Sequence, residues 1–106
     1  MSEVPLPKNF TQMRQQHPKL AEAIDTLGQA VKQEGPIDSK TAQLIQLAAA
    51  ASIRSEGAVH SHAKQARNAG ASREEIHHAV ILLTSTIGFP SVMAALSWVD
   101  DSLEPS

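Results

Sequence analysis

The sequence predicts an all-α domain. Apolar residues recur at helical spacing through most of the chain, and no stretch alternates with period 2 or collects β-branched residues ahead of a hairpin turn. Glycine and proline cut the chain into helix-length pieces at Pro18, Gly35-Pro36, Gly57, Gly70, Gly88 to Pro90 and Pro105. Five or six helices joined by short connections are expected. The 106 residues suffice for one domain, with a core over residues 35–101 and flexible ends at 1–7 and 104–106.

The first helix, Lys8 to Gln16, is short and weakly patterned, and Pro18 closes it. Pro18 also suits the first turn of the second helix. There Leu20, Ile24, Leu27 and Val31 form one apolar stripe. Gly28 interrupts it at a cost of about 1 kcal/mol relative to Ala, and close packing of a neighbouring backbone is the expected reason.

Asp38 and Ser39 are N-cap candidates for the third helix. Leu44, Leu47, Ala48 and Ala51 mark one of its faces; Ile45, Ala49 and Ile53 mark a neighbouring one. A helix this apolar is expected to be surrounded, and its alanines let neighbours approach closely. Gly57 is the expected stop, with Arg54, Ser55 and Glu56 at the helix end. Ala58 to Ala69 forms the fourth helix, with Gly70 just beyond it.

Ser72-Arg73-Glu74-Glu75 reads as a capping box. It opens a fifth helix with Ile76, Ala79, Val80, Leu83 and Ile87 on one face and Ile81 and Leu82 on a second. Gly88-Phe89-Pro90 breaks the chain before a last helix that carries Val92, Leu96, Val99 and Leu103 in register. Two helices thus hold more apolar surface than so short a chain comfortably buries. Self-association is the expected outcome. The alternative is a small core that consumes both stripes.

Composition excludes several functions. Without cysteine there is no disulfide scaffold, thiolate metal site, redox pair or cysteine nucleophile. A net charge of −2 gives no basic excess for nucleic acid, and three aromatic residues, Phe10, Phe89 and Trp98, are too few to stack bases along a strand. No apolar run approaches the roughly 18 residues of a membrane span. The N-terminal residues lack the basic-then-apolar pattern of a secretion signal, so a cytoplasmic location is expected.

The histidines are His17, His60, His62, His77 and His78. Helical spacing places His62 on one face with Val59, Ala63, Ala66 and Ala69, and His60 on the other with Lys64 and Arg67. His62 is therefore expected to point inward and His60 outward. An inward histidine is either a satisfied core or interface residue or a proton carrier, because imidazole titrates near neutrality. Residues i and i+2 on a helix lie about 200° apart, so His60 and His62 do not share a metal; adjacent His77 and His78 diverge by about 100°. No metal site is expected. Arg54 is suited to a bidentate contact with a carboxylate, and Ser55 is a weaker donor.

The stretch SKTAQLIQLAAAASIRSEGAVHSHAKQARNAGASREEIHHAVILLTSTIGFP resembles the carboxymuconolactone decarboxylase-like family, which includes the alkylhydroperoxidase-D-like proteins. The resemblance runs from about Gly35 to Asp101. Its most specific parts are His62, Ala69 to Ile76 and the break at Gly88 to Pro90. It implies a compact helical subunit that assembles into homotrimers or homohexamers.

The peroxidase-like branch of that family carries a Glu, then a CxxC, then a His four residues on. Against this sequence His62 matches the histidine, the cysteine positions fall on Ser55 and Ala58, and the glutamate position falls on Gln43. A thiol peroxidase needs a thiolate that passes through sulfenic acid to a disulfide, which serine and alanine cannot supply. That activity is argued against. The decarboxylase branch needs no cysteine pair. By that resemblance His62 is the general acid or base acting on a small carboxylate, without cofactor. Arg54, Gln43 and Ser55 would then bind the substrate or its developing oxyanion. The alternative is a non-catalytic oligomeric scaffold that has lost the redox centre.

Overall fold

A computed structural model of the chain describes residues 8–103, with only the backbone described for Asn9 and Phe10. The expected flexible ends and the fraying of Glu104 to Ser106 lie outside the described residues. Every element is helical: α1 (Lys8–Gln16), α2 (Pro18–Gln33), α3 (Ser39–Ser52), α4 (Glu56–Asn68), α5 (Arg73–Ile81), the single turn α6 (Thr84–Ile87) and α7 (Phe89–Leu103). No helix among the described residues is long and apolar enough to cross a membrane.

Local chemistry accounts for most boundaries. Pro18 occupies the first turn of α2. Asp38 caps α3 by accepting the backbone N–H of Thr41 at 2.8 Å. Ser72 and Glu75 form the reciprocal capping box of α5, at 3.0 and 2.9 Å. Gly70, at φ 106°, ends α4: its N–H bonds Arg67 O while the N–H of Ala71 bonds Ala66 O.

Two boundaries differ from the sequence expectation. Gly57 does not stop α3; it lies in the first turn of α4, and α3 ends at Ser52. Arg54, at φ 56°, takes the left-handed position that glycine usually fills. The N–H of Arg54 bonds Ala51 O and that of Ser55 bonds Ala50 O, so the closing carbonyls are satisfied without glycine. The fifth helix does not run to Ile87; it breaks at Leu82 and Leu83. The Thr84 hydroxyl takes the Ile81 carbonyl at 2.7 Å, and Leu83 bonds three residues back to Val80. Hydroxyl side chains that compete for backbone carbonyls weaken a helix at such a point.

The core lies between α3, α4, α5 and α7. Leu47, Ala50 and Ala51 meet Val59, Ala63 and Ala66, with Ile76 and Val80 on one flank and Val92, Ala95, Val99 and Leu103 on another. Alanines hold α3 and α4 close, as the run at 48–51 predicts. Polar ties join the same helices. Lys40 pairs with Glu75 at 3.2 Å, and Asp100 accepts from His77 at 2.7 Å and Arg73 at 3.1 Å.

The stripe of α2 is not part of that core. Leu20, Ile24, Leu27 and Val31 are 40% to 63% exposed, and only Ala21 of α2 is buried. The subunit's own core therefore does not consume both stripes. α2 packs chiefly on α1, tied by the Arg14–Asp25 ion pair, and has only marginal contact with the rest. No backbone approaches Gly28, contrary to the expected reason for it, since a Cβ there would meet open space. The second face of α3, Ile45 and Ala49 with Ile53 just beyond the helix end, is exposed as well, as are Ile81 and Leu82.

Candidate functional site

The facing surfaces of α3 and α4 carry a row of polar side chains through an otherwise alanine-rich contact. Gln43, one turn into α3, is buried. Its side-chain nitrogen donates to the Gln65 oxygen at 3.0 Å, and the nitrogen of Gln65 donates to the Ser61 hydroxyl at 2.8 Å. The oxygen of Gln43 then faces His62 Nδ1 at 2.9 Å. An amide oxygen can only accept, so Nδ1 carries the proton. The other ring nitrogen, Nε2, makes no hydrogen bond to the described residues and is not shut off from solvent.

Burial disfavours the charged ring and holds the His62 pKa below the ordinary histidine range; the positive charge of Lys32 pushes it the same way. At neutral pH the side chain is a neutral imidazole with its proton on Nδ1 and a lone pair on Nε2. That is the form a general base needs.

His62 lies half-buried on α4 beside Val59, Ala63 and Ala66, the buried residues of that face. Ala69, expected with them, is exposed. His60 does not point outward as expected: its side chain is 23% exposed, and Nε2 is buried. Glu56 stands 3.6 Å away, too far for a hydrogen bond, so that nitrogen has no partner. The reason is that α4 packs against both α3 and α7, which leaves it no fully solvated face. Lys64 is also partly covered, and burial lowers its pKa.

The other candidates are placed as follows. Gln43 is brought to His62, with both ends of its amide committed. Arg54 donates instead to the Ser91 hydroxyl at 2.7 Å, tying the α3–α4 connection to the start of α7. Ser55 is the N-cap of α4, and its hydroxyl makes no capping bond; Ala58 follows in the first turn and packs on the core. The two positions that the resemblance sets against a cysteine pair therefore sit at a helix start, where backbone N–H groups would favour a thiolate. Among the described residues no group of three or more histidine and carboxylate side chains is placed to hold a metal ion.

Sequence reasoning did not find Ser61, Gln65 or Lys32. Ser61 and Gln65 are four apart on α4, a spacing that makes them neighbours and could have flagged them. Lys32 acts on the ring only through its charge, from the last turn of α2, and no local pattern marks it. It also lines a groove of about 320 Å³ between α2 and α3, with Val31, Pro36, Ile37, Ile45 and Gln46. His62 is not among the groove's lining residues.

Comparison with known proteins agrees with the all-helical fold. A protein of Haemophilus influenzae, itself uncharacterised, is 38% identical over 59 residues, which cover 56% of this chain. The match spans about half of that relative's length, 52%. A carboxymuconolactone decarboxylase family protein from Legionella pneumophila, of known crystal structure, superimposes with a TM-score of 0.72 at 27% identity, covering 91% of this chain and 86% of the other. The model of the carboxymuconolactone decarboxylase family matches residues 18–101, from the start of α2 almost to the end of α7. The chain belongs to the carboxymuconolactone decarboxylase family.

Proposed function

We propose that this protein is a cofactor-free proton-transfer enzyme that acts on a small carboxylate, with His62 as its general acid and base. The observation that carries the reading is the orientation of His62 by Gln43, which leaves Nε2 to the reaction. A ring held neutral takes the proton of the substrate's carboxyl group, and the electron pair of the breaking C–C bond passes to carbon as carbon dioxide leaves. Once protonated, the same nitrogen gives it back to the carbanion or enolate left by loss of carbon dioxide, the reaction in the family's name. Gln65 and Ser61 keep Gln43 in register, so all three are positioning residues.

Turnover of 4-carboxymuconolactone by the purified protein and by His62→Gln tests the assignment. Positioned acid–base groups contribute about 100- to 10,000-fold, and a loss in that range is expected. An inactive wild type would sink this substrate; equal rates would sink the role of His62.

A second reading is a non-catalytic oligomeric protein, and the exposed stripe of α2 with the outer face of α3 favours it. Under either reading we propose that the chain self-associates through Leu20, Ile24 and Leu27 of α2 and Ile53 at the end of α3, leaving Val31 and Ile45 to the groove beside them. Light scattering on the purified protein tests this, and a monomer at all concentrations would refute it.

A further inference from the structure

We infer that the α2–α3 groove binds a monoanionic organic acid with an apolar body, its carboxylate on Lys32 and its hydrocarbon along Val31, Ile37 and Ile45. This goes beyond the proposed function: it names a ligand site apart from the one at His62 and does not rest on that reading. The groove's volume, about 320 Å³, is that of a small-molecule site. Its walls are almost wholly hydrocarbon, and its one charge is the half-buried Lys32. No carboxylate among the described residues partners that ammonium.

The position of Lys32 argues for more than a solvated surface charge. It lines the groove, and its charge also reaches His62, where it disfavours protonation of the ring. The bound carboxylate would satisfy the lysine, and the apolar tail would cover Ile45 and Ile37, both more than half exposed. Gln46, in the same wall, has its Oε1 buried without a donor. Turning that amide would set its nitrogen in this place, where it could donate to a bound carboxylate and remove the cost.

The other hollows do not offer this combination. The cleft between α3 and α5 is equally apolar, but its charged residue is the acidic Glu75, already tied to Lys40 and Ser72. The hollow between α1 and α2 holds the paired Arg14 and Asp25. An anion with a hydrocarbon body is repelled by the first and offered little by the second.

The test is amide-resolved NMR titration of the intact protein with octanoate, 1-octanol and octylammonium. Octanoate should bind saturably, with the largest shifts over residues 31–37 and 42–46. The alcohol should bind about tenfold more weakly and the ammonium more weakly still. Lys32→Met, which keeps the stem and removes the charge, should abolish the preference for the acid; Lys32→Arg should retain it. No saturable binding, equal affinity for acid and alcohol, or shifts centred on the α3–α5 cleft would overturn the inference. If octanoate binds as described while His62→Gln leaves turnover intact, the catalytic reading falls and the groove stands. If His62→Gln abolishes turnover while octanoate does not bind, the groove falls and the catalytic reading stands.

Discussion

His62 donates its Nδ1–H to the side-chain oxygen of Gln43 across 2.9 Å, joining α4 to α3 through a buried amide. The bond sets the tautomer of the ring. It ties the one buried polar side chain of α3 to the candidate base, so packing and chemistry depend on the same contact.

The pH dependence follows from the sign of the His62 shift. Its pKa in the folded chain lies below the unfolded value of about 6.5, so the folded state binds that proton less readily. The stabilisation is fully present above pH ~6.5 and is lost as pH falls through the lower folded value. Ring titration by NMR should show His62 ionising below the unfolded value. A base-dependent kcat/KM should fall on its acid limb at that same lower pKa. An ordinary or raised value would contradict the burial of the ring.

Lys32→Met should raise the His62 pKa by removing one of its two depressing influences. Burial is the larger, so the value should stay below the ordinary range. The same ring titration reads the change. A pKa unmoved by the substitution would show that the charge of Lys32 does not reach the ring.

Gln43→Leu should cost about 1–3 kcal/mol in denaturant unfolding, because it strands His62 Nδ1–H and the Gln65 oxygen. Gln43→Glu should instead raise the His62 pKa, since a carboxylate favours the charged ring. A merely structural role predicts the first effect without the second. The acid limb of the rate profile therefore separates positioning from packing.

Arg54→Gly should be neutral to stabilising, by up to about 1 kcal/mol. The left-handed backbone there costs a non-glycine residue roughly that much, against the loss of an exposed hydrogen bond to Ser91. Thermal unfolding checks it. A large loss of stability would show that the Ser91 contact outweighs the strain.

Gly28→Ala should stabilise the isolated subunit by about 0.5–1 kcal/mol, since the helical backbone suits alanine and a Cβ meets nothing. Leu27→Glu, on the exposed stripe, should leave the fold intact and weaken self-association. Unfolding curves and sedimentation measured together distinguish the two effects. An unchanged sedimentation profile for Leu27→Glu would remove α2 from the interface.

Much of the helical layout was legible in the chain because its signals are local. Pro18, Asp38, the Ser72–Glu75 box and Gly70 act within one turn, and each stands where its chemistry requires. The stops that failed to match depend on backbone conformation rather than residue type. Arg54 adopts a glycine's dihedral, and the Thr84 hydroxyl competes for the Ile81 carbonyl. The inward face of α4 was readable from Val59, Ala63 and Ala66, which placed His62 correctly beside them. His60 was misplaced because periodicity on one helix does not count how many neighbours cover it. Gln43 was reached only by alignment with a family glutamate. Lys32 was not reached at all, because it joins the site by the folding back of a separate helix.

That folding back gives the molecule two tiers of stability. α1 and α2 form a hairpin with an exposed apolar stripe and marginal contact with the four-helix core. Such a unit is expected to open at less than the global unfolding free energy, with its amides exchanging first in a hydrogen-exchange measurement. Lys32 rides on its last turn, so each opening takes that charge away from His62. The basicity of the ring thereby reports whether the hairpin is closed, and anything that clamps α2, a ligand or a second subunit, also tunes the proton affinity of the site.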